Sequence, residues 1–269
     1  DAAINAIFHS YGEKGDMLLT TKPTFGYYTP CAQMQGMRTI EIPYLSNNFN
    51  YPIDEISSIL IAKKPKIFII CNPNNPTGSL ISAQKIISLA ISSPETLIVV
   101  DEVYEAFGGD SLLPITNFNK TENLIVLRSL SKTAGLAGLR VGFAFGNKNI
   151  INSLKRVLGP YDVNSFAVTA ALAALNDQGY IDSYVQEISK AREWIIKKLK
   201  SSKIKFHING GNYLLIWPKR KTQQILFNLK EEGILVRDMS NKCLLKNSFR
   251  VSIGTREQMQ IFWESFIKY

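Results

Sequence analysis

Residues 123–146 read NLIVLRSLSKTAGLAGLRVGFAFG, two apolar runs joined by a polar segment that contains glycines. The first run, residues 123–127, lacks the alternation of apolar and polar residues, which is typical of a strand covered on both faces of a sheet. Lys132 follows this strand between serines, and Arg140 follows after two glycines. Lys132 is therefore either a solvated charge at the tip of a strand or an amine held for chemistry, and the neighbouring segments decide between these interpretations.

Similar apolar runs precede this one, and segments with helical spacing separate them. Residues 16–20 (DMLLT), 66–70 (KIFII) and 96–100 (TLIVV) are predicted strands, and residues 82–92 are a predicted helix. Strands and helices in this order indicate parallel strands with helices on both faces of the sheet. We therefore predict an α/β fold with a mostly parallel central sheet covered by helices.

The pattern changes near residue 164, where two long helical segments begin, residues 164–177 and 180–202. The second segment carries one apolar stripe at helical spacing, formed by Tyr184, Ile188, Ala191, Ile195 and Leu199. Strands are then predicted at 212–218, 234–238 and 249–254, with a helix at 222–233. We predict a large domain over residues 1–175, and a long interdomain helix with a small C-terminal α/β domain over residues 176–269.

Composition and charge restrict the class of protein. At 269 residues, with 45% hydrophobic and 20% charged residues, the chain is typical of a globular protein without a membrane span or a signal peptide. Three scattered cysteines and two distant histidines predict neither disulfides nor a metal site, and they favour a cytoplasmic location. The net charge of +9 has three interpretations: a solvated basic face, attraction of anionic small molecules, or nucleic-acid binding. The last is the least favoured, because no aromatic residues interleave the basic stretches.

Polar residues at the carboxyl ends of the predicted strands are candidates for a site, because ligands of an open parallel sheet bind there. The KIFII strand runs into CNPNNPTG, where two prolines stiffen the loop and Gly78 permits an unusual φ, so that Asn75 can be aimed. The next strand runs into Asp101, with Tyr104 three residues later. The alternatives are an ordinary turn around Asn75 and a helix N-cap at Asp101.

Together these loops supply the groups that pyridoxal 5′-phosphate requires. A lysine amine, here Lys132, attaches to the cofactor aldehyde, and a carboxylate, here Asp101, keeps the pyridine nitrogen protonated. Asparagine and tyrosine hydrogen-bond the phenolic oxygen, and hydroxyls with a guanidinium bind the phosphate. The side chains available for these contacts are Asn75, Tyr104, Ser129, Ser131 and Arg140. The combination is far more specific than any of its parts.

Four segments carry a family resemblance: CNPNNPTG (71–78), DEVYEAF (101–107), SLSKTAGLAGLRVG (129–142) and FRVSIGT (249–255). With GPYDVNS and VRD, they resemble the fold-type-I pyridoxal-phosphate aminotransferases, and among these most of all the histidinol-phosphate aminotransferases. The resemblance implies the cofactor roles given above. It also implies that Phe25 stacks on the cofactor ring, that Arg250 binds the substrate carboxylate and that Arg237 binds the substrate phosphate. The alternative for both arginines is a position on the surface, and a homodimer with its active site at the interface is implied as well.

The beginning of the chain departs from the family pattern. DAAINAIFHSY starts at once as an amphipathic helix with Asp1 at its N-cap, so we expect that a preceding segment is missing. By resemblance, Asp1 belongs to a turn that helps to hold the cofactor phosphate, and the missing segment carries an arm that contacts the substrate. Phe25 is a second departure, because most members have tyrosine there.

The reaction that the resemblance implies is transamination between histidinol phosphate and 2-oxoglutarate, which yields imidazole acetol phosphate and glutamate in histidine biosynthesis. Its substrates are small anions, and neither nucleic acid nor membrane is an expected partner. Alternatives in the same family are an aromatic or other amino-acid aminotransferase and a threonine-phosphate decarboxylase. Outside catalysis, the alternative is an inactive truncated remnant.

Overall fold

A computed structural model describes residues 1–46 and 48–269, and its largest element is a six-stranded sheet with the strand order β2-β1-β3-β4-β5-β6. The strands are β1 (Met17–Lys22), β2 (Arg38–Pro43), β3 (Ile67–Cys71), β4 (Leu97–Asp101), β5 (Leu124–Ser129) and β6 (Gly142–Gly146). The first five are parallel, and β6 is antiparallel to β5. The predicted α/β class with a mostly parallel sheet is confirmed.

Both faces of this sheet are covered. Every residue of β3 and β4 is buried, and alternate residues enter different hydrophobic clusters: Ile69 belongs to one cluster and Ile70 to the other. The covering helices are α1 (Ala2–Tyr11), α2 (Tyr28–Met34), α3 (Ile53–Lys63), α4 (Ala83–Ser92) and α5 (Lys148–Val157). This double burial explains why the strands read as unbroken apolar runs.

The second sheet is antiparallel, with the order β7-β8-β10-β9. Its strands are β7 (Lys205–His207), β8 (Tyr213–Trp217), β9 (Arg237–Asp238) and β10 (Phe249–Ser252), and the helices after α5 are α6 (Ser165–Asn176), α7 (Gln178–Ser201), α8 (Thr222–Glu231) and α9 (Arg256–Phe266). The strand predicted at 234–238 was too long, because only its last two residues pair with β10 and Leu235 is exposed. The domain boundary between residues 175 and 176 stays a prediction.

The long helix α7 joins the two sheets. Its predicted stripe faces inward: Ile188, Ala191, Ile195 and Leu199 are buried, and Tyr184 is half-buried with its ring centroid 6.3 Å from that of Phe107. The same hydrophobic cluster contains Val99 of the first sheet and Phe249 of the second. The shared core therefore fixes the small sheet against the carboxyl ends of the large one.

No helix in the described part of the chain combines the length and the apolar character needed to cross a membrane. Within residues 1–46 and 48–269, no three histidine, cysteine or acidic side chains are grouped in a way that could hold a metal ion. Cys31 and Cys71 are buried and Cys243 is exposed, and all three are free thiols.

Candidate active site

The candidate residues meet at one edge of the large sheet. Strands β3, β4 and β5 are parallel neighbours, so their carboxyl ends lie side by side. Asn75 lies in the loop after β3, Asp101 is the last residue of β4, and Lys132 comes three residues after the end of β5. The topology thus brings together the three side chains that the sequence placed at separate strand ends.

Asp101 is a buried carboxylate with a donor on each oxygen. The hydroxyl of Tyr28 donates to Oδ2 at 2.9 Å, and the backbone N–H of Val103 donates to Oδ1 at 3.2 Å. Burial raises the pKa of Asp101, and the hydrogen bond from Tyr28 opposes this effect. The N-cap alternative is wrong for Asp101, because Tyr104 holds the N-cap position of the single helical turn that follows, Glu105–Phe107.

Asn75 connects both sheets at the site. Its Nδ2 donates to the Tyr104 hydroxyl at 3.5 Å, and its Oδ1 accepts a hydrogen bond from Nη1 of Arg250. The Arg250 guanidinium lies 5.3 Å from the ring centroid of Tyr213, and its buried Nε has no hydrogen-bond partner among the described residues. Arg250 is therefore an arginine of the site and not of the outer surface, and it retains an unused donor there.

The Lys132 amine lies over the Tyr104 ring, 5.6 Å from the ring centroid. Within the described part of the chain it forms no hydrogen bond and no ion pair. Burial lowers its pKa, and the positive charges of Arg250 and Arg140 lower it further. A lowered pKa increases the fraction of neutral amine, which is the nucleophilic form, so the geometry favours the chemical interpretation of this lysine over the solvated one.

A second group of polar side chains surrounds the loop after β5. The Ser129 hydroxyl accepts from the backbone N–H of Ser131 at 3.1 Å and donates to the Ser131 hydroxyl at 2.8 Å. Arg140 is exposed, and its Nη2 lies 2.6 Å from Oδ2 of Asp1. Asp1 holds the N-cap position of α1, yet its side chain does not cap the helix. Its carboxylate pairs with Arg140 instead, which joins the two predicted phosphate contacts.

Two further candidates, Phe25 and Arg237, lie beside Tyr28 and Arg250, respectively. Phe25 is half-buried and contacts the Tyr28 ring edge-on, with 5.5 Å between the centroids. Arg237 of β9 pairs directly with Arg250 of β10, and directly opposed residues of an antiparallel pair project on the same face. Arg237 is exposed whereas Arg250 is half-buried, so the two guanidinium groups lie on one face at different depths.

The small sheet holds the loop after β3 through contacts that the sequence analysis missed. The Tyr213 hydroxyl donates to the Asn74 carbonyl at 2.6 Å, and Nε2 of His207 lies 2.9 Å from the Thr77 carbonyl. The backbone N–H of Gly210 donates to the Gly78 carbonyl at 2.8 Å. No local signal identifies these partners, because they are brought in by the docking of the second sheet. Sequence reasoning also missed Tyr28.

Gly78 is the tightest point of this contact, and its substitution is expected to be costly. It has φ +72°, and a Cβ there would lie 2.5 Å from the Gly210 carbonyl oxygen. We expect Gly78→Ala to lower the free energy of unfolding by about 3 kcal/mol, the sum of left-handed strain and overpacking. Gly135→Ala is the matched control, because Gly135 has φ +69° but open space around it. Denaturant unfolding of both variants measures the difference, and equal losses would contradict the close contact.

The donors at this edge fit pyridoxal 5′-phosphate. Its aldehyde needs an amine that is readily neutral, and its ring nitrogen needs a carboxylate. Its phenolic oxygen is bound by an amide and a phenol, and its phosphate by hydroxyls and a guanidinium. Lys132, Asp101 and Arg140 interact electrostatically, since the charges of the other two shift the pKa of Lys132. The charged candidates therefore lie within electrostatic range of one another.

Comparison with known proteins identifies the family of the chain. The family described as aminotransferase class I and II matches residues 1–266. The chain is 38% identical to histidinol-phosphate aminotransferase of Thermoanaerobacter pseudethanolicus, an alignment of 96% of this chain and 72% of the relative. It is 32% identical to a dihydroxyacetone phosphate transaminase of Campylobacter jejuni, over 100% of this chain and 73% of the relative.

Solved structures give the same result for the fold. The histidinol-phosphate aminotransferase of Sinorhizobium meliloti, in complex with pyridoxal 5′-phosphate, superposes with a TM-score of 0.88 at 21% identity, over 98% of this chain and 73% of that one. The enzyme from Clostridium acetobutylicum gives 0.88 at 24% identity, over 99% and 80%. The chain belongs to the class I and II aminotransferases and is an enzyme that depends on pyridoxal 5′-phosphate.

Proposed function

We propose that this chain transfers the amino group of histidinol phosphate to 2-oxoglutarate, giving imidazole acetol phosphate and glutamate in histidine biosynthesis. The observation that carries the proposal is the pairing of Arg237 with Arg250 on one face of the small sheet, where Arg250 reaches Asn75. One substrate carries a phosphate and the other two carboxylates. A guanidinium binds either anion in a bidentate manner, so two of them suit a site that accepts both substrates in turn.

Lys132, Asp101, Asn75 and Tyr104 are assigned to the reacting end of the cofactor. When bound, pyridoxal 5′-phosphate supplies an electron-withdrawing ring that stabilises negative charge at the substrate α-carbon. The Lys132 amine holds the cofactor and moves a proton at that carbon, as a base and then as an acid. Asp101 keeps a proton on the ring nitrogen, and Asn75 with Tyr104 donates to the phenolic oxygen.

The remaining candidates orient the cofactor. Ser129, Ser131 and Arg140 are assigned to its phosphate, and Asp1 is assigned to the orientation of Arg140, with which it forms an ion pair. The free N–H groups at the start of α1 lie beside this pair and add favourable potential for an anion. Phe25 is assigned to the face of the ring, where an aromatic side chain excludes water.

A substrate panel tests the proposal. We expect purified protein with pyridoxal 5′-phosphate to transaminate histidinol phosphate with 2-oxoglutarate at least about tenfold more efficiently than phenylalanine, in terms of kcat/KM, because only the former places a phosphate near Arg237. Threonine phosphate and dihydroxyacetone phosphate, the latter with glutamate as donor, are included as phosphorylated competitors. Preference for any of these competitors would contradict the proposed substrate. If neither histidinol phosphate nor any competitor is turned over, the proposed reaction is contradicted.

We also propose that the chain works in the cytoplasm as a homodimer. Support for the location is limited to the three free cysteines. Support for the dimer comes from an exposed apolar surface on and beside α6, which buries only Ala167 and Ala171. We name it the α6 surface, and it consists of Tyr161, Phe166, Leu172 and Leu175. An apolar patch of this kind on an enzyme is typical of a subunit interface.

Substitution of Phe166, which is 82% exposed, tests the dimer. We expect Phe166→Asp to weaken self-association at least about 30-fold, since it places a charge in a buried aromatic contact of about 2 kcal/mol. Ile61→Asp is the matched control, because Ile61 is 64% exposed on α3 and outside the α6 surface. Sedimentation equilibrium over a range of concentrations measures both variants. A monomeric wild-type chain, or equal effects of the two substitutions, would contradict the interface.

A further inference from the structure

Tyr28, on α2, is completely buried, and its hydroxyl is committed to Asp101. The hydrogen bond to Oδ2 is 2.9 Å long, and Tyr28 has 0% exposure. Burial raises the pKa of Tyr28 well above its ordinary value, and the negative charge of Asp101 raises it further. The phenol therefore stays protonated, and a protonated phenol beside a carboxylate can only donate to it.

The contact leaves room for a third donor to Asp101. An ionised carboxylate accepts about four hydrogen bonds, and the protein supplies one to each oxygen, from Tyr28 and from the backbone of Val103. The Tyr28 bond is the shorter of the two and comes from a rigid, buried ring. It therefore limits rotation of the carboxylate, and both oxygens keep lone pairs for a further donor.

We propose that Tyr28 is a positioning residue for Asp101, whose hydroxyl holds the carboxylate in one orientation and in its charged form for the pyridine nitrogen of pyridoxal 5′-phosphate. This inference rests on the proposed function, because that function assigns Asp101 to the ring nitrogen. The close spacing of Phe25 and Tyr28 in the sequence supports the inference. One short segment carries both the aromatic ring that is assigned to the cofactor face and the hydroxyl that holds the Asp101 carboxylate.

The other titratable groups around Asp101 do not replace Tyr28. Four groups interact with Asp101 through space: Cys71 on β3, Tyr104 after β4, Lys132 after β5, and the amino group of Asp1 at the start of α1. Burial raises the pKa values of Cys71 and Tyr104, so both remain neutral. Lys132 favours the charged form of Asp101 by its own charge. In the described part of the chain, Tyr28 is the side chain that hydrogen-bonds the carboxylate.

The test is Tyr28→Phe in the full chain, followed by two titrations. Carboxyl-carbon NMR measures the protonation of Asp101 directly, and a pH series of pyridoxal 5′-phosphate affinity measures its consequence. A hydrogen bond to a charged group corresponds to a shift of about one pH unit or more, so we expect the Asp101 titration to move up by about that amount. Cofactor affinity should fall about tenfold on the acid side of the titration and less at high pH.

Tyr44→Phe is the matched control. Tyr44 is equally buried, and its hydroxyl accepts a hydrogen bond from Thr21 at 2.7 Å, but it does not contact Asp101. We expect Tyr44→Phe to lose about as much stability as Tyr28→Phe, without shifting the Asp101 titration or the pH dependence of cofactor affinity. In an Asp101→Asn background, Tyr28→Phe should cost no further cofactor affinity, whereas a merely structural role for Tyr28 predicts additive losses.

The outcomes separate this inference from the function on which it rests. An unchanged Asp101 titration in folded Tyr28→Phe would overturn the inference, and cofactor binding by the wild-type chain would leave the proposed function intact. A wild-type chain that binds no pyridoxal 5′-phosphate would overturn the function and with it the cofactor role of Tyr28. The NMR titration would then still decide whether Tyr28 holds Asp101 in its charged form.

Discussion

Lys132→Ala is expected to lower transamination by at least about 10⁴-fold, the largest effect of any single substitution in this chain. The amine lies 5.6 Å from the Tyr104 ring centroid and has its pKa lowered by burial and by two arginines. Its removal takes away the group assigned both to hold the cofactor and to move the proton. The two cations that lower the Lys132 pKa, Arg250 and Arg140, cannot take over this role, because guanidinium groups do not deprotonate.

Two measurements accompany this substitution. Wild-type protein loaded with pyridoxal 5′-phosphate should show visible absorption from covalently held cofactor, and Lys132→Ala should lose that absorption. Lys120→Ala is the control, since Lys120 is exposed ahead of β5, at the opposite edge of the sheet. It should retain activity and absorption. Full activity in Lys132→Ala would refute the assignment, and equal loss in both variants would refute its specificity.

The elements best predicted from the sequence are those whose environment is uniform. Strands β3 and β4 are buried along their whole length, so an apolar run marks each within one residue of its observed bounds. Strand β2 was missed because its side chains are mostly exposed or half-buried and include arginine, glutamate and proline. Strand β7 was missed because three residues are too few to show alternation. Periodicity reports burial, and these elements are not uniformly buried.

The residues of the site also divide into those that the sequence identifies and those that depend on tertiary contacts. Asn75, Asp101 and Lys132 could be found because each is a polar residue where an apolar strand stops, and because the ends of parallel strands share one edge. Tyr28 could not be found in this way, since an aromatic residue in TFGYYTP gives no sign that its hydroxyl meets a carboxylate. Tyr213 and His207 depend on how the small sheet docks, which local sequence does not encode.

Asp101→Asn is expected to lower kcat/KM for transamination by about 10² to 10³-fold, the scale of one lost electrostatic contact in a buried site. The amide keeps the shape of the side chain but has no charge to hold a proton on the ring nitrogen. Cofactor affinity should fall as well, whereas Lys132 should still attach the cofactor. Asp101→Asn with full activity would contradict the role assigned to this carboxylate. Glu102 provides no substitute, because its carboxylate is held by Arg128 at 2.8 Å and by the Leu112 N–H at 2.7 Å.

The same substitution has a second effect, on the pH dependence of stability in protein without added cofactor. Burial raises the pKa of Asp101 in the folded chain above its ordinary value of 3.8. Its contribution to stability is therefore complete below that value and is lost as the pH rises through the folded pKa. Asparagine does not ionise, so Asp101→Asn should gain stability relative to the wild type as the pH rises from about 4 through the folded pKa of Asp101. The hydrogen bond lost in Asp101→Asn shifts the difference in stability between the two proteins by a constant amount, and it does not change the trend with pH.

Added pyridoxal 5′-phosphate should reverse the trend, because its protonated ring compensates the buried charge in the wild type alone. Ligand that binds only the folded state stabilises in proportion to its affinity, so the wild type should gain more than Asp101→Asn. Thermal unfolding with and without cofactor, at pH values on both sides of the titration, measures both effects. Cofactor that stabilises the two proteins equally would show that Asp101 does not pair with the ring nitrogen, because a carboxylate without that partner gains nothing from a bound cation.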